Sequence, residues 1–531
     1  MRKFGLALAV VVVLGGAAFF ATYYFLSGGP QNDLKQQLDQ ALQKLPPGWT
    51  GAYKSLDVSV VSRGATLKGF ELHGAGDNKF DLTVDEVDLN GLALEAIPVL
   101  ASLGDPKAQA EAGKQPLDKE TALADSVVVK GSKLHSDAAD VEIAFIQTNK
   151  PRLYLGALLH PGLPSYPEVM KLALHPQAQS SPADILPMLR FEAAAFLGGA
   201  QDSTTISDMS MRMKMPSSPD LPTGGEMFYT VKKISGTGIG HGKIASIVSE
   251  GVTIKTTSVP AMDMTLDRLT MAGIDAHDSA ARLLDATVLD PSLADGLTLG
   301  KLEYAGWKIQ IPGQAPVVMS SAGVSDLAFA HGMMTSGQFD LAGLKINKAL
   351  VASNAEAAQM FDQMGLDTAT VSLSAGYKWD VDKKAAVLKQ VSFKVDELGA
   401  LVLSADLTGI EKPDTLMTTA TLNHAVLRYD DASFTGRAFK AAAAQNGVDP
   451  AAFSKQAITM VQMQAALIGA NSPAIKAAAA AVASFLTDPH NLTIELAPPQ
   501  PIGMTALYAV KDLPPPQIFT QLGVKVTANQ K

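Results

Sequence analysis

The chain has 531 residues, room for about three domains at ~100–200 residues each. Charged residues make up 18 %, and 43 Lys and Arg against 52 Asp and Glu leave a formal charge of −9. No Lys/Arg run exceeds two residues, so the sequence offers no basic stripe for a phosphate backbone and speaks against nucleic-acid binding. With no cysteine at all, disulfides, thiolate zinc sites, iron–sulfur clusters and cysteine nucleophiles are excluded together.

Arg2 and Lys3 precede an uncharged run from Phe4 to Leu26. A helix over that run spans about 34 Å, enough for a hydrocarbon core of ~30 Å. The two basic residues keep the amino terminus cytoplasmic and predict export of the rest, while Tyr23 and Tyr24 suit the outer interface. The alternative is a cleaved signal peptide, whose apolar core is shorter and ends at a small-x-small site. Gly16-Ala17-Ala18 lies inside the apolar run, and Ser27-Gly28-Gly29 is followed by Pro30. An uncleaved, single-pass anchor over residues 1–29 fits better.

Asp33 to Leu45 reads as an amphipathic helix with Leu34, Leu38, Leu42 and Leu45 on one face, ended by Pro46-Pro47-Gly48. Its stripe needs a cover, either the first strands or the membrane surface. The period then changes to two: Leu56, Val58 and Val60; Leu67, Phe70 and Leu72 around Gly69; Phe80, Leu82 and Val84. Such alternation predicts half-buried antiparallel strands. A helix over Leu92–Leu103, more strands and a proline-rich helical insert over 151–199 follow. Long strand-like segments then run from Ile206 to Ile346, the first with Met209, Met211, Met213 and Met215 on one face. Ser353 and Glu356 form a capping box for a helix ending at Gly365. Strands return over 370–409, with Asp382-Lys383-Lys384 at a turn. Three helices follow, started at Asp431–Ser433, Asp449-Pro450 and Ser472-Pro473. A strand over Leu492–Leu496, a helix after Pro514 and a strand over Val524–Ala528 close the chain.

Legible chemistry is scarce. The nearest histidines, His160 and His175, are too far apart for a helical ligand pair, and no HExxH can be written. Gly236-Thr237-Gly238-Ile239-Gly240-His241-Gly242 lacks the spacing of a phosphate loop and is flanked by strand on both sides, which predicts a strand connection or bulge. There is no GxSxG elbow. Asp85-Glu86 and Asp430-Asp431 are adjacent carboxylates, which point to opposite faces of a strand and do not converge. No cofactor, metal or catalytic residue is assigned. The methionine row is either an adaptable surface for irregular apolar ligands or an ordinary core face.

Leu34–Leu45, Gly64–Leu72 and Phe80–Leu92, behind an N-terminal anchor, together resemble the AsmA-like and YdgA-like envelope proteins of Gram-negative bacteria. That resemblance implies a β-rich groove and a role in lipid or outer-membrane homeostasis. Gly376–Asp380, Leu401–Ala405, Tyr429–Phe434, Phe485–Pro489 and Leu522–Asn529 are similar to an uncharacterised group of alphaproteobacterial envelope proteins, which implies a compartment and no reaction.

The expected fold is α+β and β-dominated: one or two large, mainly antiparallel sheets with a C-terminal helical cluster. The expected regions are an anchor (1–29), an amphipathic helix with a meander (30–150), and a β-rich region with a helical insert (151–350). A helix with antiparallel strands (351–430) and a helical cluster with closing strands (431–531) complete the chain. The expected role is non-enzymatic. A single-pass protein of the bacterial inner membrane, its bulk in the periplasm, binds phospholipid in an apolar groove at Met209, Met211, Met213 and Met215. Arg2, Lys3, Tyr23 and Tyr24 form its membrane-interface anchors. An adaptor for another envelope protein is the alternative, and an anchored hydrolase ranks last.

Overall fold

The computed structural model describes residues from Lys35 to Gln530, apart from 36–37, 40–41, 44, 46–47, 60–61, 75–78, 94–105, 138, 165–181, 216–223, 258–260, 413–414 and 469–471. The expected anchor, with Arg2, Lys3, Tyr23 and Tyr24, lies outside the described residues, as does most of the helix expected over 92–103. Among the described residues no helix is long and apolar enough to cross a membrane. The chain forms two compact units, one from residues up to 302 with 329–333, the other from 303–328 with 334–531.

Period-two alternation builds the first unit. Its strands are β1 (Thr50–Ala52), β2 (Ser55–Ser59), β3 (Gly64–Gly74), β4 (Phe80–Asn90), β5 (Glu120–Ala122), β6 (Ser126–Ser136), β7 (Ala139–Asn149), β8 (Arg152–Tyr154), β9 (Gly199–Met215), β10 (Gly225–Gly240), β11 (Lys243–Thr256) and β12 (Met262–Asp275). β1 and β2 both lie on β3, followed by β4, β6, β7, β9, β10, β11 and β12, every pairing antiparallel. β8 pairs with the start of β9, and β5 with β8. Of the expected amphipathic helix, Lys35, Leu38, Asp39, Leu42 and Gln43 are helical. Leu38 is buried, Asp39 accepts a hydrogen bond from Tyr53 Oη at 2.7 Å, and Leu42 and Leu45 fill the space over Gly51 of β1. The first strands cover the stripe.

A line of residues crosses this sheet out of step with its neighbours: Gly69, Asp85, Gly131, Ala144, Asp208, Lys232, Gly251 and Asp267 face one another between flanking paired positions. Every second member has positive φ: Gly69 (59°), Gly131 (61°), Asp208 (52°) and Gly251 (64°). The buried positions change phase there. Ile143 and Ile146, three apart, are both buried, and so are Ile206 and Met209. A regular strand would place such pairs on opposite faces.

The two longest helices described in this unit are α1 (Pro182–Gly198), which runs through Pro187, and α2 (His277–Asp285). Leu197 and Leu284, both 0 % exposed, join Tyr154, Ala157, Ala193 and Ala280 in its helical core.

β13 (Thr298–Gln310) and β14 (Val317–Ala330) lead to β15 (Met333–Asn347). Helix α3 (Ala355–Met364) precedes the strands β16 (Thr368–Asp380), β17 (Ala385–Val395), β18 (Gly399–Thr408) and β19 (Thr421–Asp431). Then come α4 (Phe434–Asn446), α5 (Pro450–Ile468), α6 (Pro473–Thr487), β20 (Asn491–Leu496), β21 (Ile502–Gly503), α7 (Met504–Ala509), α8 (Pro515–Leu522) and β22 (Val524–Ala528). The second unit's sheet runs β15–β16–β17–β18–β19–β20–β22, all antiparallel, with β21 on the start of β19.

The capping signals act with one shift. Asn354, not Ser353, caps α3, because its carboxamide already accepts from Ala357 N at 3.1 Å. Ser433 sits at the N-cap of α4 without a side-chain cap bond. Asp431 does that work, accepting from Thr435 N (2.9 Å), Thr435 Oγ1 (2.8 Å) and Tyr429 Oη (2.6 Å). Asp449 and Ser472 cap α5 and α6 as their sequences predict.

Candidate functional site

The second unit's sheet has one face made almost wholly of apolar side chains. On β16 this is Ala369, Val371, Leu373, Ala375, Tyr377 and Trp379, alternating with Thr370, Ser372, Ser374, Gly376, Lys378 and Asp380. The ladder extends it sideways: Leu341, Leu373, Phe393, Leu401 and Tyr429 stand opposite one another across β15 to β19. Six residues along β16, a second row joins Trp379, Ala386, Leu407, Leu422 and Ile502. Bulges at Ala342/Gly343 and Lys389/Gln390 keep the apolar positions in phase.

The two rows differ in cover. Trp379, Ala386, Leu407 and Leu422 are all under 9 % exposed. In the other row, Leu373 is 38 % exposed, Phe393 47 % and Leu401 42 %, and Phe339, opposite Ala375, is 42 % exposed. The β19 end is closed by α6, whose Phe485 ring meets Tyr429 edge-on at 5.9 Å. Burial and the neighbouring Asp431 carboxylate raise the Tyr429 phenol far above its ordinary value, so it stays a neutral donor. Helix cover therefore stops near β18, and the strip over β15–β18 is open. It exposes on the order of 300 Å² of apolar surface, the size of a functional patch on a monomer.

The residues that the sequence singled out lie elsewhere. Met209, Met211 and Met213 are 5–6 % exposed and stand against Ile143, Val141 and Ala139 of β7 in the first unit. Met215 pairs with Gly225 at the end of the same strand. The glycine cluster is a tight turn between β10 and β11. His241 N and Gly242 N donate to Gly199 O and Phe196 O at the end of α1. A Cβ on Gly240 or Gly242 would strike Ala200 or His277. Its glycines serve close packing, and these two amides are occupied by carbonyls instead of an anion.

That turn also places His241 between two rings, Tyr154 at 4.0 Å and His277 at 4.4 Å. Burial lowers the His241 pKa, against a smaller opposing effect of its hydrogen bond to Leu197 O. The adjacent carboxylates are spent separately: Glu86 on Lys130 and Lys68, Asp430 on Arg428, Asp431 on the α4 cap. Among the described residues no group of three His, Asp or Glu side chains could hold a metal ion. A shallow cavity of about 470 Å³ lined by Pro499, Pro501, Ile502, Val510 and Leu513 lies at the carboxy-terminal helices.

Sequence reasoning missed the open strip because every strand of that face alternates in the same way. Which part the helices leave uncovered is a tertiary matter. A model of an uncharacterised protein family matches residues 392–529, from β17 to the last strand. No curated protein and no solved structure matches the chain.

Proposed function

We propose that this is a non-enzymatic protein of the bacterial envelope, anchored in the inner membrane by residues 4–26, with a periplasmic body that shelters an acyl chain. The observation that carries the reading is the open strip of Phe339, Leu373, Phe393 and Leu401 beside a closed continuation of the same apolar face. Covering about 300 Å² supports on the order of 7 kcal/mol of gross apolar transfer. Part of that is lost to immobilising the ligand. An acyl chain suits a strip without charge and without directional groups at its open end. The anchor supplies the ligand by holding the body beside a membrane.

The test is to feed a diazirine-bearing fatty acid to cells expressing the full chain, irradiate, and map the adducts. Adducts on the peptides of β15–β18, reduced severalfold by Phe393→Asp with Leu401→Asp, are expected. Adducts confined to residues 4–26 would sink the reading.

One observation favours the adaptor alternative. Helix α5 leaves Met460, Met463 and Leu467 at 52 %, 58 % and 77 % exposed on adjoining turns. A protein partner captured through α5, with the strip free of lipid adducts, would replace the acyl reading.

A further inference from the structure

The apolar face holds one polar group that nothing answers. Trp379 is 6 % exposed, and its indole N–H has no hydrogen-bond partner among the described residues. A buried donor left unpaired is unfavourable and uncommon in folded proteins. Trp379 shares its face and strand with Tyr377 and Leu373. It lies about 7 Å from Tyr377 and about 20 Å from Leu373 at ~3.3 Å per residue. Between Leu373 and Trp379 the face passes through Ala375 and Tyr377, both half-buried, and Gly337, opposite Tyr377, is buried against Leu327. Tyr377 spends its hydroxyl on Met334 O at 3.0 Å. Along this path the face is apolar from end to end, with the Trp379 N–H as its unspent donor.

We infer that the deep end of this face accepts the ester carbonyl of an uncharged acyl lipid, with Trp379 Nε1 as the donor. The inference rests on the acyl-binding reading and narrows its ligand. One N–H matches one carbonyl oxygen. A free carboxylate or a phosphate needs charged or multiple donors, and this face of β15–β18 carries no charged side chain. A glycerophospholipid holds its phosphate close to its ester carbonyls, so it would drag that charge into the same uncompensated place. A simple alkyl ester of a fatty acid brings neither that charge nor a free hydroxyl. Its chain follows the apolar path toward the open strip.

The experiment titrates the full chain, held in amphipol, with a fatty-acid alkyl ester and with its dialkyl ether analogue, which has the same chains and no carbonyl. One hydrogen bond predicts that the ester binds about five- to tenfold more tightly. In Trp379→Phe the two should bind alike, with the ester falling to the ether's affinity. The indole ¹⁵N–H resonance of Trp379 in the unmutated chain should move downfield with the ester and not with the ether, a readout that survives any folding defect of the variant. Equal affinities in the unmutated chain, or an ester preference that persists in Trp379→Phe, overturns the assignment and leaves the acyl reading standing. Failure of both compounds to bind overturns the acyl reading and this inference together.

Discussion

Single residues in this protein carry fold information through their surroundings more than through their type. His241 stands out in the sequence as the odd member of a glycine cluster, where it suggests a titratable loop. In the fold it is a packing piece between Tyr154 and His277, held at φ 51°. Burial favours its neutral form, and the groups facing it are Asp118, which opposes that shift, and Lys243 and His277, which reinforce it. Because its folded pKa lies below the ordinary 6.5, its contribution to stability is intact above about pH 6.5 and is lost as pH falls from there through the folded value. Thermal melts of the purified chain between pH 7.5 and 5 should therefore fall on the acid side. In His241→Phe, which keeps a ring between Tyr154 and His277, that part of the slope should vanish. An unchanged slope in the variant would assign the acid sensitivity to other groups. Asp431, inside the expected start Asp431–Ser433, supplies the cap from two residues upstream of the N-cap, accepting from Thr435 N, Thr435 Oγ1 and Tyr429 Oη.

At the scale of elements, most strands and helices were legible because their periods differ and their stop signals are local. The turn at Asp382–Lys384, the caps at Asp449 and Ser472, the end of α3 at Gly365 and the last strand all fall where the residues place them. The line of left-handed residues across the first sheet was not legible. Gly69 reads as punctuation, and nothing in β6 or β11 alone says that Gly131 and Gly251 stand on the same line. That alignment exists only once the register is set. Physically the line demands residues that tolerate positive φ and leave room for the neighbouring strand's side chain. Asp85 lies where a Cβ on Gly131 would sit, 2.0 Å from its Oδ2. Gly131→Ala should therefore destabilise the first unit by about 2 kcal/mol, from the left-handed backbone and the displaced Asp85. For a unit of this size that lowers Tm by ~4–8 °C. Asp85→Ala in the same background should restore part of the loss, which calorimetry of the single and double variants would measure. A fully additive pair would show that the two residues do not compete for that space.

The whole molecule joins a strand-rich body to an N-terminal segment that only the sequence describes. Its net charge of −9 and its lack of basic runs matter for how such a body meets a membrane. An acidic protein gains no electrostatic attraction to anionic lipid, so any firm association must come from apolar burial. The run from Phe4 to Leu26 is long enough to supply it. If those residues are an uncleaved anchor, the full chain should stay with the membrane pellet through 1 M salt and through alkaline carbonate. Only detergent should release it. Intact mass should then account for all of residues 1–531, allowing for processing of Met1. Cleavage within 16–29 and release by salt or carbonate would instead favour the signal-peptide alternative. The acyl strip would then have to be loaded by diffusion, without a tether. The two outcomes also bear on the ligand: a tethered body can take a sparingly soluble acyl ester from the bilayer beside it, whereas a released one needs a lipid with appreciable aqueous concentration.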